Sequence, residues 1–305
     1  MVVVDVREQA ALIALLRVAD GGWHRVAGLV ERAGSASTIV RGDWGYLEPA
    51  DEDLAVSLSE AVREADVEQA AGAVEQWATS GADLVTVLDA GYPLNLREVH
   101  DRPPFLFVRG SLRDQDSRAI AVVGTRRPSD VGLRVARQLA GELATRGVTV
   151  VSGLARGIDA VAHQGALDAR GPTLAVLGAG ISQPIAPAQN QGLAGRVVDA
   201  GALVSQFWPD APPRPQTFPM RNVVTSGLAL GTVVVEAGEK GGAAHQARLC
   251  LRHGKRLLLV RSLVLREAWA RQLATRPGVI VVDTVDDVLG AIEQVLNPPA
   301  QLSLC

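Results

Sequence analysis

Two stretches decide the fold: AIAVVGTRRPS at residues 119–129 and VTVVSGLARGID at residues 148–159. Each runs from a short valine-rich apolar segment into a glycine, an arginine-bearing turn and a polar residue fit to open a helix. An unbroken apolar run of this length reads as a strand buried on both faces, the pattern of a parallel sheet covered by helices. The flanking sequence repeats it. Strands are expected at Thr173–Leu177, Leu203–Ser205, Thr232–Val235, Arg256–Val260 and Val279–Val282. Helices are expected at Ser129–Thr145, Asp159–Ala169, Asn190–Ala200, Val223–Leu230, Ala243–His253 and Val285–Val295. This alternation predicts an α/β class: a Rossmann-like, mainly parallel sheet with helices on both faces. Two further strands, Leu84–Leu88 and Phe105–Val108, precede it.

Before residue 81 the pattern is helical. Asp5 is placed to cap a helix carrying Leu12, Ile13, Leu15 and Leu16, and Gly21-Gly22 breaks it. A helix from Trp23 to Arg32 stops at Gly34, and two more are expected at Asp53–Ala65 and Val67–Gly81. The predicted organisation is a small all-helical domain, helix-hairpin-like, over 1–80, a Rossmann-like domain over 81–297 and a tail over 298–305.

Composition limits the function. Of 305 residues 48 % are hydrophobic and 4 % aromatic, and the formal charge is −3. A globally basic field is therefore absent, and a nucleic-acid site has to be a local patch. The cations are almost all arginine, lysine occurring only at Lys240 and Lys255. Arginine suits forked phosphate contacts and stacking on bases. Cys250 and Cys305 give no metal-ligand spacing; the first is expected to be a small buried hydrophobe and the second a free thiol. No signal peptide or spanning apolar run is read, so a cytoplasmic location without membrane contact is expected.

Three strand-to-helix junctions are expected to hold anionic oxygens. In the first, Gly124 lets a ligand approach the backbone, Thr125 and the following amides donate, and Arg126 and Arg127 add charge. In the second, Ser152, Gly153, Arg156 and Gly157 suit a nest of backbone N–H groups. Asp159 sits where an N-cap belongs, and His163, four residues on, lies on the same helical face. The expected role of this pair is structural, a capping aspartate with the histidine turned toward it, because no serine or cysteine nucleophile completes a catalytic set. The third region runs from Arg221-Asn222 to Glu236, Lys240 and Gly241-Gly242, again a helix start. None of the three is a Walker loop or a G-x-G-x-x-G dinucleotide motif. The reading is a binding protein without catalytic residues, metal or cofactor.

These loops, in this order, resemble the DprA (Smf) family of DNA-processing proteins, within the wider SLOG superfamily. The likeness covers about residues 83 to 260. It takes in Tyr92-Pro93, Val123-Gly124-Thr125-Arg126 with Ser129, Gly171, Ala175-Val176-Leu177-Gly178, Pro187 with Asn190, Phe218-Pro219, Arg221-Asn222 and Val235-Glu236-Ala237. It is sharpest at Ser152-Gly153-Leu154-Ala155-Arg156-Gly157-Ile158-Asp159 with Ala162-His163. The resemblance implies a dimer that binds single-stranded DNA in a basic pocket and helps load RecA during transformation and recombination. It implies phosphate contacts for Arg126, Arg156 and Arg221, aided by the amides of Gly153, Gly157, Gly241 and Gly242. Asp159, His163, Asn190 and Glu236 are expected to shape the pocket. The chain departs from the family pattern at Ala186, Gln206, Val223 and Gly241-Gly242-Ala243, and no winged-helix pattern follows the sheet. Two alternatives on the same fold are a SLOG-type binder or sensor of a small nucleotide in a defence or toxin–antitoxin system, and a LOG-like phosphoribohydrolase. The second is disfavoured because Glu236 precedes the paired glycines instead of following them.

Overall fold

In a computed structural model, residues 5–297 are described. The tail at 298–305, with Cys305, lies outside them. Five helices come first: α1 (Val6–Val18), α2 (Trp23–Ala33), α3 (Ala36–Arg41), α4 (Pro49–Ala61) and α5 (Glu64–Thr79). Asp5 caps α1, accepting from the amides of Arg7 at 2.9 Å and Glu8 at 3.4 Å. Gly34 ends α2 at φ +74°, a conformation glycine adopts without a Cβ penalty. Helix α4 starts four residues before the expected Asp53, because Pro49 fits a first turn that needs no amide donor.

The rest alternates strands and helices: β1 (Asp83–Thr86), α6 (Leu94–Arg97), β2 (Phe105–Gly110), β3 (Ala119–Val123), α7 (Asp130–Thr145), β4 (Thr149–Ser152), α8 (Ile158–Asp168), β5 (Thr173–Val176), α9 (Gln191–Ala200) and β6 (Ala202–Ser205). Then come α10 (Thr217–Leu228), β7 (Gly231–Val234), α11 (Gly242–Arg252), β8 (Arg256–Val260), α12 (Arg261–Arg266), α13 (Ala268–Ala274), β9 (Val279–Val282) and α14 (Val285–Leu296). These nine strands form one sheet in the order β1-β2-β6-β5-β4-β3-β7-β8-β9. Strand β2 runs against both its neighbours; every other pairing in the sheet is parallel. The chain leaves β3 toward β4, β5 and β6 on one side and returns to β7, β8 and β9 on the other. The switch point therefore falls between β3 and β7, where open α/β sheets place their ligands beyond the carboxyl ends of the strands.

Apolar residues of β3, β4, β7 and β8 pack one face against α7, α8 and α14. On the opposite face, Val123, Val234, Leu257 and Leu259 meet α11 and α13. A third cluster joins the half of the sheet from β1 to β5 to the N-terminal helices.

Three local expectations are corrected. Helix α10 starts at Thr217, six residues before Val223, since Pro219 lies in its first turn and removes no helical hydrogen bond. The cap of α8 is Gly157, at φ +80°, so Asp159 sits inside the first turn. His163 does not turn toward Asp159; its Nδ1 lies 2.7 Å from Thr173 Oγ1. That hydroxyl donates to Val150 O at 2.7 Å, so the imidazole donates from Nδ1.

Candidate functional site

The three junctions meet. Thr125 N donates to Glu236 O at 2.6 Å, and Ile158 N donates to Thr125 O at 3.3 Å. Gly124 and Gly157 make this approach possible. A Cβ on Gly124 would lie 2.5 Å from Ile158 Cγ1 and 2.9 Å from Glu236 O, and one on Gly157 would overlap Thr125 O. Glu236 closes the junction from above. Its carboxylate accepts from Ser129 N at 2.9 Å and Ser129 Oγ at 2.6 Å. Burial works against its charge, but the Ser129 hydrogen bonds and Arg266 hold the group below the usual glutamate range.

Two adjoining clefts open over the strand tips. The first, about 490 Å³, lies beyond β4 and β5 and is lined by Arg126, Arg127, Arg156 and Arg221 with Gly178 and Phe218; among the described residues no carboxylate lines it. The second, about 480 Å³, lies at the switch point beside Gly124, Thr125, Lys240 and Gly242, with Asp159 as the one acidic residue among those described. Arg126 and Arg221 belong to both. Between the clefts, the Arg126 guanidinium sits 5.5 Å from the centre of the Phe218 ring, within reach of a cation–π contact. Among the described residues, Arg126, Arg127, Arg156 and Lys240 form no ion pair.

Arg221 is the best held of the cations. Its Nη1 donates to Val176 O at 2.7 Å and its Nε to Asn222 Oδ1 at 3.2 Å. Gly153 lies against it so closely that a Cβ would overlap the guanidinium. Asn222 bridges onward, donating to Gly242 O at 3.3 Å with His245 Nδ1 at 3.2 Å. Burial lowers His245 below the ordinary imidazole range, helped by Arg252 and Arg248, so this ring is neutral at pH 7.

Some expected donors are already engaged. The Ser152 hydroxyl is buried and donates to Val122 O at 2.7 Å, inside the sheet. Gly241 N donates to Gly238 O at 3.0 Å. Gly153 N donates to Asp159 Oδ2 at 3.2 Å. The amides of Gly124 and Ala155 also bond the Asp159 carboxylate, and Arg221 attracts it; burial nevertheless raises the group above the usual aspartate range. The second loop thus is a nest, but the acceptor in it is the chain's own Asp159 carboxyl group. Asn190 is buried and donates to Leu154 O at 2.8 Å, steadying a residue held at φ +54°. His163 lies wholly inside the protein, away from both clefts.

The expected site set left out Phe218, the wall at Gly178–Pro187 and His245. Gly178-x-Gly180 after an apolar strand was the available signal for the wall.

The fold and this site define a Rossmann-like α/β protein that presents a cluster of arginines over converging strand tips. A sequence profile described as DNA recombination-mediator protein A matches residues 83–292. The chain belongs to that family, the DprA (Smf) proteins. It is 46 % identical to protein Smf of Escherichia coli over 165 residues, 54 % of this chain and 44 % of the relative. It is 35 % identical to the DNA processing protein DprA of Bacillus subtilis, over 59 % of this chain and 61 % of the relative. It thus spans between 44 % and 61 % of the length of these relatives. A putative DNA processing protein DprA of Mycobacterium tuberculosis is 34 % identical over 292 residues, 90 % of this chain and 72 % of the relative. The X-ray structure of DprA from Streptococcus pneumoniae shares the fold, with TM-score 0.70 at 24 % identity over 94 % of this chain and 98 % of that one. A structure of DNA processing protein A from Helicobacter pylori, solved for its single-stranded DNA binding mode, gives 0.61 at 23 % over 69 % and 96 %.

Proposed function

We propose that this chain binds single-stranded DNA without sequence preference along the two clefts, protects it, and helps load a RecA-type recombinase in transformation and recombination. One observation carries the reading: four arginines line the first cleft and, among the described residues, no carboxylate does. Such a surface attracts a polyanion, while Phe218 offers an aromatic face to a base. Arg126, Arg127, Arg156 and Arg221 contact phosphates, and Lys240 with the Gly242 end of α11 extends the track past the switch point. Ser152 and the Gly153 amide serve the scaffold. Asp159, Asn190 and Glu236 hold the loops. The family's naming for DNA recombination and the single-stranded DNA binding of the Helicobacter protein support this reading over a small-nucleotide sensor or a hydrolase. The protein acts by binding rather than catalysis, in the cytoplasm and as a homodimer. Among the described residues no helix is long and apolar enough to cross a membrane.

Fluorescence anisotropy with labelled oligo-dT tests it. Affinity should fall with salt at a log–log slope of about −0.7 per neutralised phosphate, so four or five contacts give roughly −3 to −3.5. Arg126→Glu should abolish binding. A salt-independent affinity, or an Arg126→Glu variant that binds like wild type, refutes the reading.

A further inference from the structure

The far wall of the arginine cleft is the segment 178–187, and it does not stand alone. Gly180 N donates to Ala211 O at 2.8 Å and Ser182 N to Pro209 O at 2.9 Å. Gln183 Nε2 donates to Asp210 O at 2.8 Å. A Cβ on Gly180 would overlap the carbonyl oxygens of Trp208 and Pro209, so the two segments touch along their backbones. The second segment is anchored in turn by the Trp208 ring. It stacks on Phe105 of β2 at 4.8 Å and 29°, and meets Trp23 of α2 at 5.3 Å and 71°. Trp77 of α5 lies 6.0 Å away and packs edge-on against Phe107 at 4.9 Å. A chain of direct contacts therefore runs from α2 and α5 through Trp208 to a wall of the cleft.

We propose that the N-terminal helices are a positioning element of the DNA site: by gripping Trp208 through Trp23 and Trp77 they fix the distance between the 178–187 wall and the arginines. This rests on the DNA-binding reading and gives the helical segment a role without any contact to DNA. Aromatic contacts at these separations are directional. A groove held at the bound width loses less freedom when a strand enters. Trp23 and Trp208 are positioning residues, and no phosphate contact depends on them.

The test compares oligo-dT affinity and its salt slope across four variants. Trp23→Ala should weaken binding roughly tenfold with an unchanged slope, since the ionic contacts remain. Trp23→Phe, which keeps a ring against Trp208, should recover most of the loss. Gly180→Ala, which wedges the two segments apart without touching the helices, should weaken binding to a similar degree. It also decides the matter if Trp23→Ala does not fold. Leu143→Ala, a truncation in the separate core under α7, should bind like wild type although it lowers stability. Amide hydrogen exchange over 178–187 should quicken in Trp23→Ala and stay as in wild type in Leu143→Ala. Wild-type affinity in folded Trp23→Ala, or in Gly180→Ala where Trp23→Ala does not fold, overturns the proposal. If wild type itself ignores oligo-dT, the DNA reading fails. The coupling is then judged by exchange alone, and unchanged rates over 178–187 in Trp23→Ala overturn it too.

Discussion

At the scale of single residues, spacing told which side chains share a face but not which of them meet. Asp159 and His163 are four apart on α8, yet each finds a different partner. The carboxylate faces backbone amides and Arg221, while the imidazole reaches Thr173 across β5. Burial, with the nearby Arg221 charge, pushes His163 down to about 3 from an ordinary 6.5. Between those two values the unfolded chain holds a proton that the folded chain refuses. Stability from this group is complete above pH 6.5 and falls by about 1.4 kcal/mol per pH unit as acid is added. Urea unfolding of wild type and His163→Asn at pH 7, 6 and 5 should show this loss in wild type relative to the variant, which has nothing to titrate there; parallel curves would contradict it. Gly153 makes a separate point. Its missing side chain is the space that Arg221 occupies, so Gly153→Ala should displace the guanidinium and cut oligo-dT affinity at least about tenfold. Circular dichroism should show the helices intact, and an undiminished affinity would mean that Arg221 does not bind the strand.

At the scale of elements, legibility followed the strength of the local signal. The strands Ala119–Val123, Arg256–Val260 and Val279–Val282 lie where their apolar runs put them, because a doubly covered strand has no polar alternation to blur its ends. Short helices α3, α6, α12 and α13 went unread: with four to seven residues each, they are too short to display a helical period. The opening of α7 was legible from Ser129, but its full purpose was not. The hydroxyl accepts from Gly132 N at 3.1 Å as a cap and donates to Glu236, 107 positions away. Ser129→Ala removes both bonds and should lower unfolding stability by about 1–2 kcal/mol in urea titrations. A loss confined to a few tenths would show that Glu236 finds other donors and that the junction does not depend on this cap.

At the scale of the whole molecule, the convergence of the three loops was readable because a parallel sheet must deliver its loops to one edge. The engagement of their amides was not, since it depends on contacts between residues far apart in sequence. The same limit applies to the division near residue 80. We propose it as a boundary of topology, with a helical part over 1–80 and a Rossmann-like part over 81–297, but the core crosses it. Leu12, Leu15, Leu29 and Ile39 of the helices belong to one buried cluster with Phe105, Phe107, Leu174 and Val204 of the sheet. A helical part that left on its own would strip Phe105 and Phe107 of their cover and expose Trp208, at about 25 cal/mol for each Å² of apolar surface returned to water. The two parts should therefore unfold together. Three of the five tryptophans, Trp23, Trp77 and Trp208, stand at the junction, so their emission reports separation of the parts while far-ultraviolet circular dichroism reports the sheet and helices throughout. The two signals should share one denaturant midpoint. Emission that shifts well before the dichroism falls would mean that the helical part departs first, and that the shared cluster is two cores in contact.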